Sequence, residues 1–227
     1  MKRALIIGAS RGLGLGLAGE HLKRGWHVTA TARDDRSGLD ALLTKSGGRL
    51  VLETADIGKP HTVAALADRL EGQAFDLLFL NAGIMTGRGV PLADVPDGDI
   101  VNIFLTNAIN PVRVADVLLP RVAKGGTVAF MSSILGSIGT NDDGRAELYR
   151  ASKAALNSLI RSFRARHAAV DLTVLAVHPG VVRTAMGGPG APLDIETSVT
   201  GVSDMLQTRA GTGGQAFVDY RNQIIPW

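Results

Sequence analysis

The sequence predicts an α/β fold, a doubly wound parallel sheet of about seven strands flanked by helices, in a single domain over residues 1–227. Three observations predict it. Short apolar runs alternate with longer amphipathic segments along the chain, the pattern of repeated strand–helix–strand units. The apolar fraction is 45% but the aromatic fraction only 4%, which suits a sheet packed by Ala, Val, Leu and Ile. The 28 glycines fall at segment boundaries, not in a repeat.

"RALIIG" (3–8) reads as a buried strand and "GLGLAGEHLKRG" (14–25) as the helix after it. "HVTATAR" (27–33) and "RLVLETAD" (49–56) follow as strands, "TVAALADRLEG" (62–72) as a helix, and "FDLLFLNAG" (75–83) as a strand ending in a tight turn. The stretch 99–123 reads as helical, interrupted at Pro111. "GTVAFMSS" (126–133) and "DLTVLAVHPG" (171–180) are strands on either side of the helix "AELYRASKAALNSL" (146–159), and "QAFVDY" (215–220) is the last strand. The Gly- and Pro-rich segment 183–196 reads as a mobile loop beside a site, part of a loop/helix region at about 183–210 expected to bind substrate.

Composition excludes several classes of function. The formal charge of +3 arises from 24 basic and 21 acidic residues spread along the chain, with no basic block of the kind that tracks a phosphate backbone, so nucleic acid is not an expected partner. With no cysteine there are no disulfides, thiolate metal sites or thiol nucleophiles, which suits a cytoplasmic setting. His21, His27, His61, His167 and His178 show no metal-ligand spacing, so no metal is expected. No stretch approaches the roughly 20 apolar residues of a membrane span, and "MKRALIIGAS" is too short in its apolar part for a signal segment.

After the first strand, "GASRGLG" places Gly8, Gly12 and Gly14 at the opening of a helix. Such a turn lets the backbone approach a pyrophosphate, whose charge then meets free N–H groups at the helix N-terminus. The spacing Gly-x3-Gly-x-Gly differs from the commoner Gly-x-Gly-x2-Gly of dinucleotide sites. At the end of the second strand an NAD site places an acid for the ribose 2′-hydroxyl, whereas "TATAR" offers Ala32 and Arg33 with no carboxylate before Asp34. Arg11 projects from the glycine turn itself. Two guanidiniums that bracket a 2′-phosphate favour NADP(H) over NAD(H); the alternative is two solvated surface arginines.

Tyr149 and Lys153 are spaced i, i+4, one turn apart on one helix face. An ammonium beside a phenol favours the phenolate and would lower its pKa. The pair alone occurs by chance in many helices.

In order along the chain stand Gly8-x3-Gly12-x-Gly14, "NAG" at 81–83, "SS" at 132–133, Tyr149-x3-Lys153 and "HPG" at 178–180. With this set the sequence resembles the short-chain dehydrogenase/reductase family over essentially its whole length. Its ending, "HPGVVRTAMGGPGAPL" and "IIPW", looks like the subgroup of C-factor-like and Sniffer-like carbonyl reductases. The resemblance implies a Rossmann-type fold and hydride transfer between a nicotinamide and a small carbonyl or alcohol substrate. It makes Tyr149 the general acid/base and Lys153 the group that lowers its pKa and holds the nicotinamide ribose. It also implies that Ser133 bonds the substrate oxygen and that Asn107 holds a water in a relay to the lysine; the alternative for Asn107 is a helix residue satisfying nearby backbone. For the cofactor it implies Ser10, Arg11 and Leu13 with the three glycines, then Arg33, Asp56 at the adenine, Ile57, and Asn81, Ala82 and Gly83 at the ribose. Pro179, Gly180, Val182 and Thr184 would pass the nicotinamide. A homodimer or homotetramer is implied by analogy. The rival reading is a cofactor-binding regulatory or signalling protein with incidental catalysis.

The chain departs from the family pattern at Ile7, where threonine is common, and in a Ser133-to-Tyr149 spacing of 16 residues, about three longer than usual. Ser132 and Ser137 therefore compete with Ser133, which is preferred because neighbouring strand residues point to opposite sides. The insert around "TNDDG" (140–144) is expected to bulge over the substrate mouth.

Overall fold

Alternate residues of a strand face opposite sides of its sheet, so a strand covered on both sides must be apolar without interruption. Ala4, Leu5, Ile6 and Ile7 meet that demand, none more than 1% exposed. The computed structural model describes residues 1–227. Its strands are β1 (Arg3–Ile7), β2 (His27–Ala32), β3 (Leu50–Thr54), β4 (Phe75–Leu80), β5 (Val122–Met131), β6 (Leu172–His178) and β7 (Gln215–Asp219). They form one sheet, all neighbours parallel, in the order β3-β2-β1-β4-β5-β6-β7. The expected doubly wound sheet of seven strands is what is found.

Alternation divides the core in two. Leu5 and Ile7 join Phe75, Leu78, Leu80, Val128 and Phe130 under three helices, α3 (Pro60–Arg69), α5 (Asn110–Leu118) and α6 (Glu147–Arg166). Ala4 and Ile6 join Leu77, Phe79, Ala129 and Val177 under α1 (Gly12–Lys23), α2 (Ser37–Leu43) and α7 (Ile195–Arg209) on the other face. A slip of one residue in any strand would exchange the two cores, which fixes the register.

The remaining helix, α4 (Asp97–Phe104), runs through a π turn, Leu105–Ile109, straight into α5. The regular α-helix is interrupted just before Pro111, by this π turn, in which the Asn110 N–H reaches back five residues to the Leu105 carbonyl; the chain stays helical on both sides. The helical stretch ends earlier than the sequence suggests: β5 begins at Val122, so Ala123 is a strand residue. The segment 183–196 is ordered by backbone pairing, Val182 bridging Leu193 and the Arg183 N–H donating to the Leu193 carbonyl at 2.8 Å.

Candidate active site

The chain reverses its winding between β1 and β4, and in such sheets ligands lie in the crevice at the carboxyl ends of the strands. Four of the five motifs singled out in the sequence emerge there: the glycine turn after β1, Asn81–Ala82–Gly83 after β4, Ser132–Ser133 after β5 and Pro179–Gly180 after β6.

The glycine turn is built for close backbone approach. Gly8 and Gly12 hold φ of +84° and +57°, the left-handed region that L side chains rarely adopt. A Cβ on Gly14 would stand 2.3 Å from the Gly8 carbonyl oxygen and 2.6 Å from Asn81 Nδ2, so this position admits only glycine. Asn81 Nδ2 donates to the Gly8 carbonyl at 2.7 Å and ties the β4 turn to the β1 turn. By contrast, a Cβ on Gly12 would meet nothing nearer than Thr184 Cγ2 at 3.9 Å. The cleft between the glycine turn and Thr184 is thus open. The first turn of α1 has no side-chain cap and no acidic residue, so its N–H groups face that cleft uncompensated, the arrangement that receives an anion. These residues fit a dinucleotide's pyrophosphate.

Arg11, the exposed residue before α1, and Arg33 flank the end of β2. Arg33 is 69% exposed and its Nε donates to Asp34 Oδ2 at 2.7 Å, while Asp35 is held below the usual carboxylate range chiefly by bonds from Ser37, with a small addition from the charge of Arg11. Asp56 accepts from the Gly58 N–H at 2.9 Å, beside Ile57. Thr184 Oγ1 accepts from the Gly187 N–H at 3.0 Å. Gly180, at φ +84°, has Leu193 and Tyr220 packed where a Cβ would lie.

α6 carries Tyr149 and Lys153, 8% and 3% exposed. Lys153 Nζ lies 5.7 Å from the Tyr149 ring centroid and donates to the Met131 carbonyl at the end of β5, 2.9 Å away. The expectation of a lowered phenol pKa is corrected. Burial pushes Tyr149 up to about 12; the Ser133 hydroxyl and the more distant Arg88 pull it only partly back. Burial also brings Lys153 down to about 8, so it stays mostly protonated at neutral pH and loses its charge as pH rises through that value.

Of the three serines, Ser133 is the one that faces the Tyr149 hydroxyl. Ser132 turns away and donates to Asn157 Oδ1 at 2.7 Å. Ser137 lines a separate cavity of about 290 Å³ with Asn141, Glu147, Arg150 and Ala151. Asn107, fully buried in the π turn, stitches backbone to backbone. Its Oδ1 accepts from the Ile84 N–H and its Nδ2 donates to the Ile84 carbonyl, each at 2.8 Å. It also reaches Ser152 Oγ at 3.1 Å.

The insert does not take the position expected of it. Asp143 accepts from Arg145 and, at 2.7 Å, from Arg150 Nη2, bonds that hold its carboxyl at about 2. Arg150 shares an α6 face with Glu147, Ala151 and Ala154, turned away from Tyr149, and the insert is fastened there. Over Tyr149 stands Met186, with its Sδ 4.0 Å from the hydroxyl. Ile84, Met85 and Leu135 pack around Tyr149 and Leu148 as apolar walls. Sequence reasoning passed over Arg88, whose Nη2 donates to the Met186 carbonyl at 2.6 Å. The only signal was its place between Gly87 and Gly89.

Residues 2–191 match the model of a family described as short chain dehydrogenase. A protein of Burkholderia multivorans described as a short-chain dehydrogenase/reductase, solved with bound NADP, is 45% identical, with a TM-score of 0.96 over 100% of this chain and 99% of that one. A carbonyl reductase of Pseudomonas aeruginosa in complex with NADP is 43% identical with a TM-score of 0.92, each chain covered over 100%. The C-signal protein of Myxococcus xanthus is 37% identical over 154 residues, 67% of this chain and 92% of that protein. These likenesses bear out the family and the C-factor-like character read from the motifs.

Proposed function

The chain belongs to the short-chain dehydrogenase family, and we propose that it is an NADP(H)-dependent oxidoreductase of the carbonyl reductase type. The observation that carries this reading is the convergence of Tyr149, Lys153 and Ser133 on one end of the sheet, across the crevice from an open glycine turn. Two similar proteins solved with NADP support the choice of cofactor, and Arg11 and Arg33 are the groups of this chain that would hold a 2′-phosphate.

When bound, the dinucleotide supplies the hydride. Tyr149, held neutral by burial, supplies the proton: its O–H bond breaks toward the substrate oxygen as that oxygen gains charge, and the phenolate left behind is reprotonated from solvent. Lys153, fixed by the Met131 carbonyl, would stabilise that phenolate and bond the nicotinamide ribose. Ser133 would donate to the same substrate oxygen. Asn107 holds the Ile84 backbone beside Gly83 and so keeps the pocket floor in register. The segment 183–210 and the apolar walls from Ile84, Met85 and Met186 would shape the substrate, and a homodimer or homotetramer is the assembly expected. No helix is long and apolar enough to cross a membrane.

The C-signal relative favours one second reading, a signalling protein that binds cofactor and turns over only incidentally. Tyr149→Phe decides between them. The variant keeps the ring and its packing, so it should bind NADPH as wild type does while oxidising it at least about 100-fold more slowly across a panel of aldehydes, ketones and quinones. Full turnover by Tyr149→Phe would refute the acid/base role. No wild-type turnover on any of them, with tight NADPH binding, would favour signalling.

A further inference from the structure

Arg88 occupies an unusual place for a surface arginine. The turn that carries it is closed by the Val90 N–H donating to the Gly87 carbonyl at 3.1 Å. Gly87 and Gly89 on either side hold φ of +69° and +74°, so the turn can present Arg88 at its tip only because its neighbours are glycines. A Cβ at Gly87 would lie 3.7 Å from Leu148, the neighbour of Tyr149 in α6, so the turn rests on the wall of the site. The guanidinium spends two of its donors: Nη2 on the Met186 carbonyl at 2.6 Å and Nε on Met85 Sδ at 3.1 Å. Both partners are uncharged. Arg88 enters none of the chain's ion pairs. The acids of the same connection, Asp94, Asp97 and Asp99, sit in its 3-10 turn and in α4.

Met186 links this cation to the chemistry, since its carbonyl holds Arg88 while its sulfur touches the Tyr149 hydroxyl. The uncompensated charge and the proton donor are therefore about one methionine apart, with Ile84, Met85 and Leu135 as apolar surface near the hydroxyl. From this geometry we infer that the site takes carbonyl substrates carrying a carboxylate, with Arg88 binding the carboxylate while the carbonyl meets Tyr149. A para-disubstituted aromatic ring holds a carbonyl and a carboxylate apart at one fixed distance. An arginine fork suits a carboxylate, with two parallel N–H donors for its two oxygens.

The inference rests on the reductase reading, and a matched pair of probes separates the two: 4-carboxybenzaldehyde and methyl 4-formylbenzoate, alike in ring and aldehyde and different in charge. Binding of each is first measured by calorimetry to the protein loaded with oxidised NADP, where no reduction occurs. Wild type should bind the carboxylate about tenfold more tightly than the ester. That ratio should fall to about one in Arg88→Gln and stay above one in Arg88→Lys, and the ratio of kcat/KM with NADPH should follow it. A wild-type ratio of one, a ratio that survives Arg88→Gln, or an equal loss on both probes would overturn the inference; the last would reduce Arg88 to a fastener of Met186. A tenfold binding ratio without NADPH oxidation would leave the anion site standing and refute the reductase reading alone.

Discussion

Asn107 offers the sharpest test of how the pocket floor is held. It is fully buried, and its amide meets both polar groups of the Ile84 backbone at 2.8 Å. Asn107→Ala removes both partners at once and leaves Ser152 with its bond to the Tyr149 carbonyl. Each unmade buried bond costs about 1–3 kcal/mol, and because Ile84 is half-buried water recovers part of it, so the total is about 3 kcal/mol. For a chain of this length that lowers Tm by roughly 6–12 °C. Asn107→Asp keeps the shape but cannot donate to the Ile84 carbonyl when ionised, and it buries a charge. Burial raises the folded carboxyl's pKa above its unfolded value of about 3.9, so the cost is least near pH 4 and grows as pH rises. Asn107→Asp should therefore melt below Asn107→Ala at pH 7, with the gap narrowing at pH 5. Calorimetry, with urea unfolding followed by tryptophan fluorescence, reads both. A Tm for Asn107→Ala within about 2 °C of wild type would refute the reasoning.

Three further outcomes are expected. Burial lowers the Lys153 pKa from 10.5 to about 8, so the unfolded chain binds the extra proton between those values and stability rises with pH across that window. Lys153→Met should remove that rise, on the order of 2 kcal/mol, from the difference in urea midpoints between pH 8 and pH 10. Arg33→Ser should weaken NADPH binding by about tenfold and NADH binding much less, as read by fluorescence titration; equal effects would remove Arg33 from the cofactor site. Gly14→Ala should fail to fold well because its Cβ meets backbone, whereas Gly12→Ala should fold at a cost of about 1 kcal/mol for its left-handed φ yet bind dinucleotide poorly. Equal melting temperatures for the two variants would contradict this contrast.

The strands were legible because each is a local apolar run, and the glycine turn and the Tyr149–Lys153 pair because both are short-range patterns. Strand alternation was enough to prefer Ser133 over Ser132. The helix α2 was not legible: only Leu39 of its seven residues is buried, which leaves no periodicity to see. Pro111 marked the place where the 99–123 stretch leaves the regular α-helix, but not that the break would be a π turn, which depends on how the flanking helices pack. The direction of the Tyr149 shift was out of reach because depth of burial decides it, and the covering of the hydroxyl because Arg88 and Met186 stand 98 positions apart.

The central place of β1 in the sheet has a consequence for how the molecule comes into being. β1 is flanked by β2 and by β4, and the candidate site draws on the ends of β1, β4, β5 and β6, from Gly8 to Met186. The contacts that build it are therefore long-range in sequence, of the kind that form slowly because distant chain must be gathered first. Until β4 docks, β1 shows a bare edge to other chains, the hazard of any half-built sheet. Hydride transfer would then report at least the paired centre of the sheet, since the glycine turn and the tyrosine helix reach one crevice only once β1, β4 and β5 have joined.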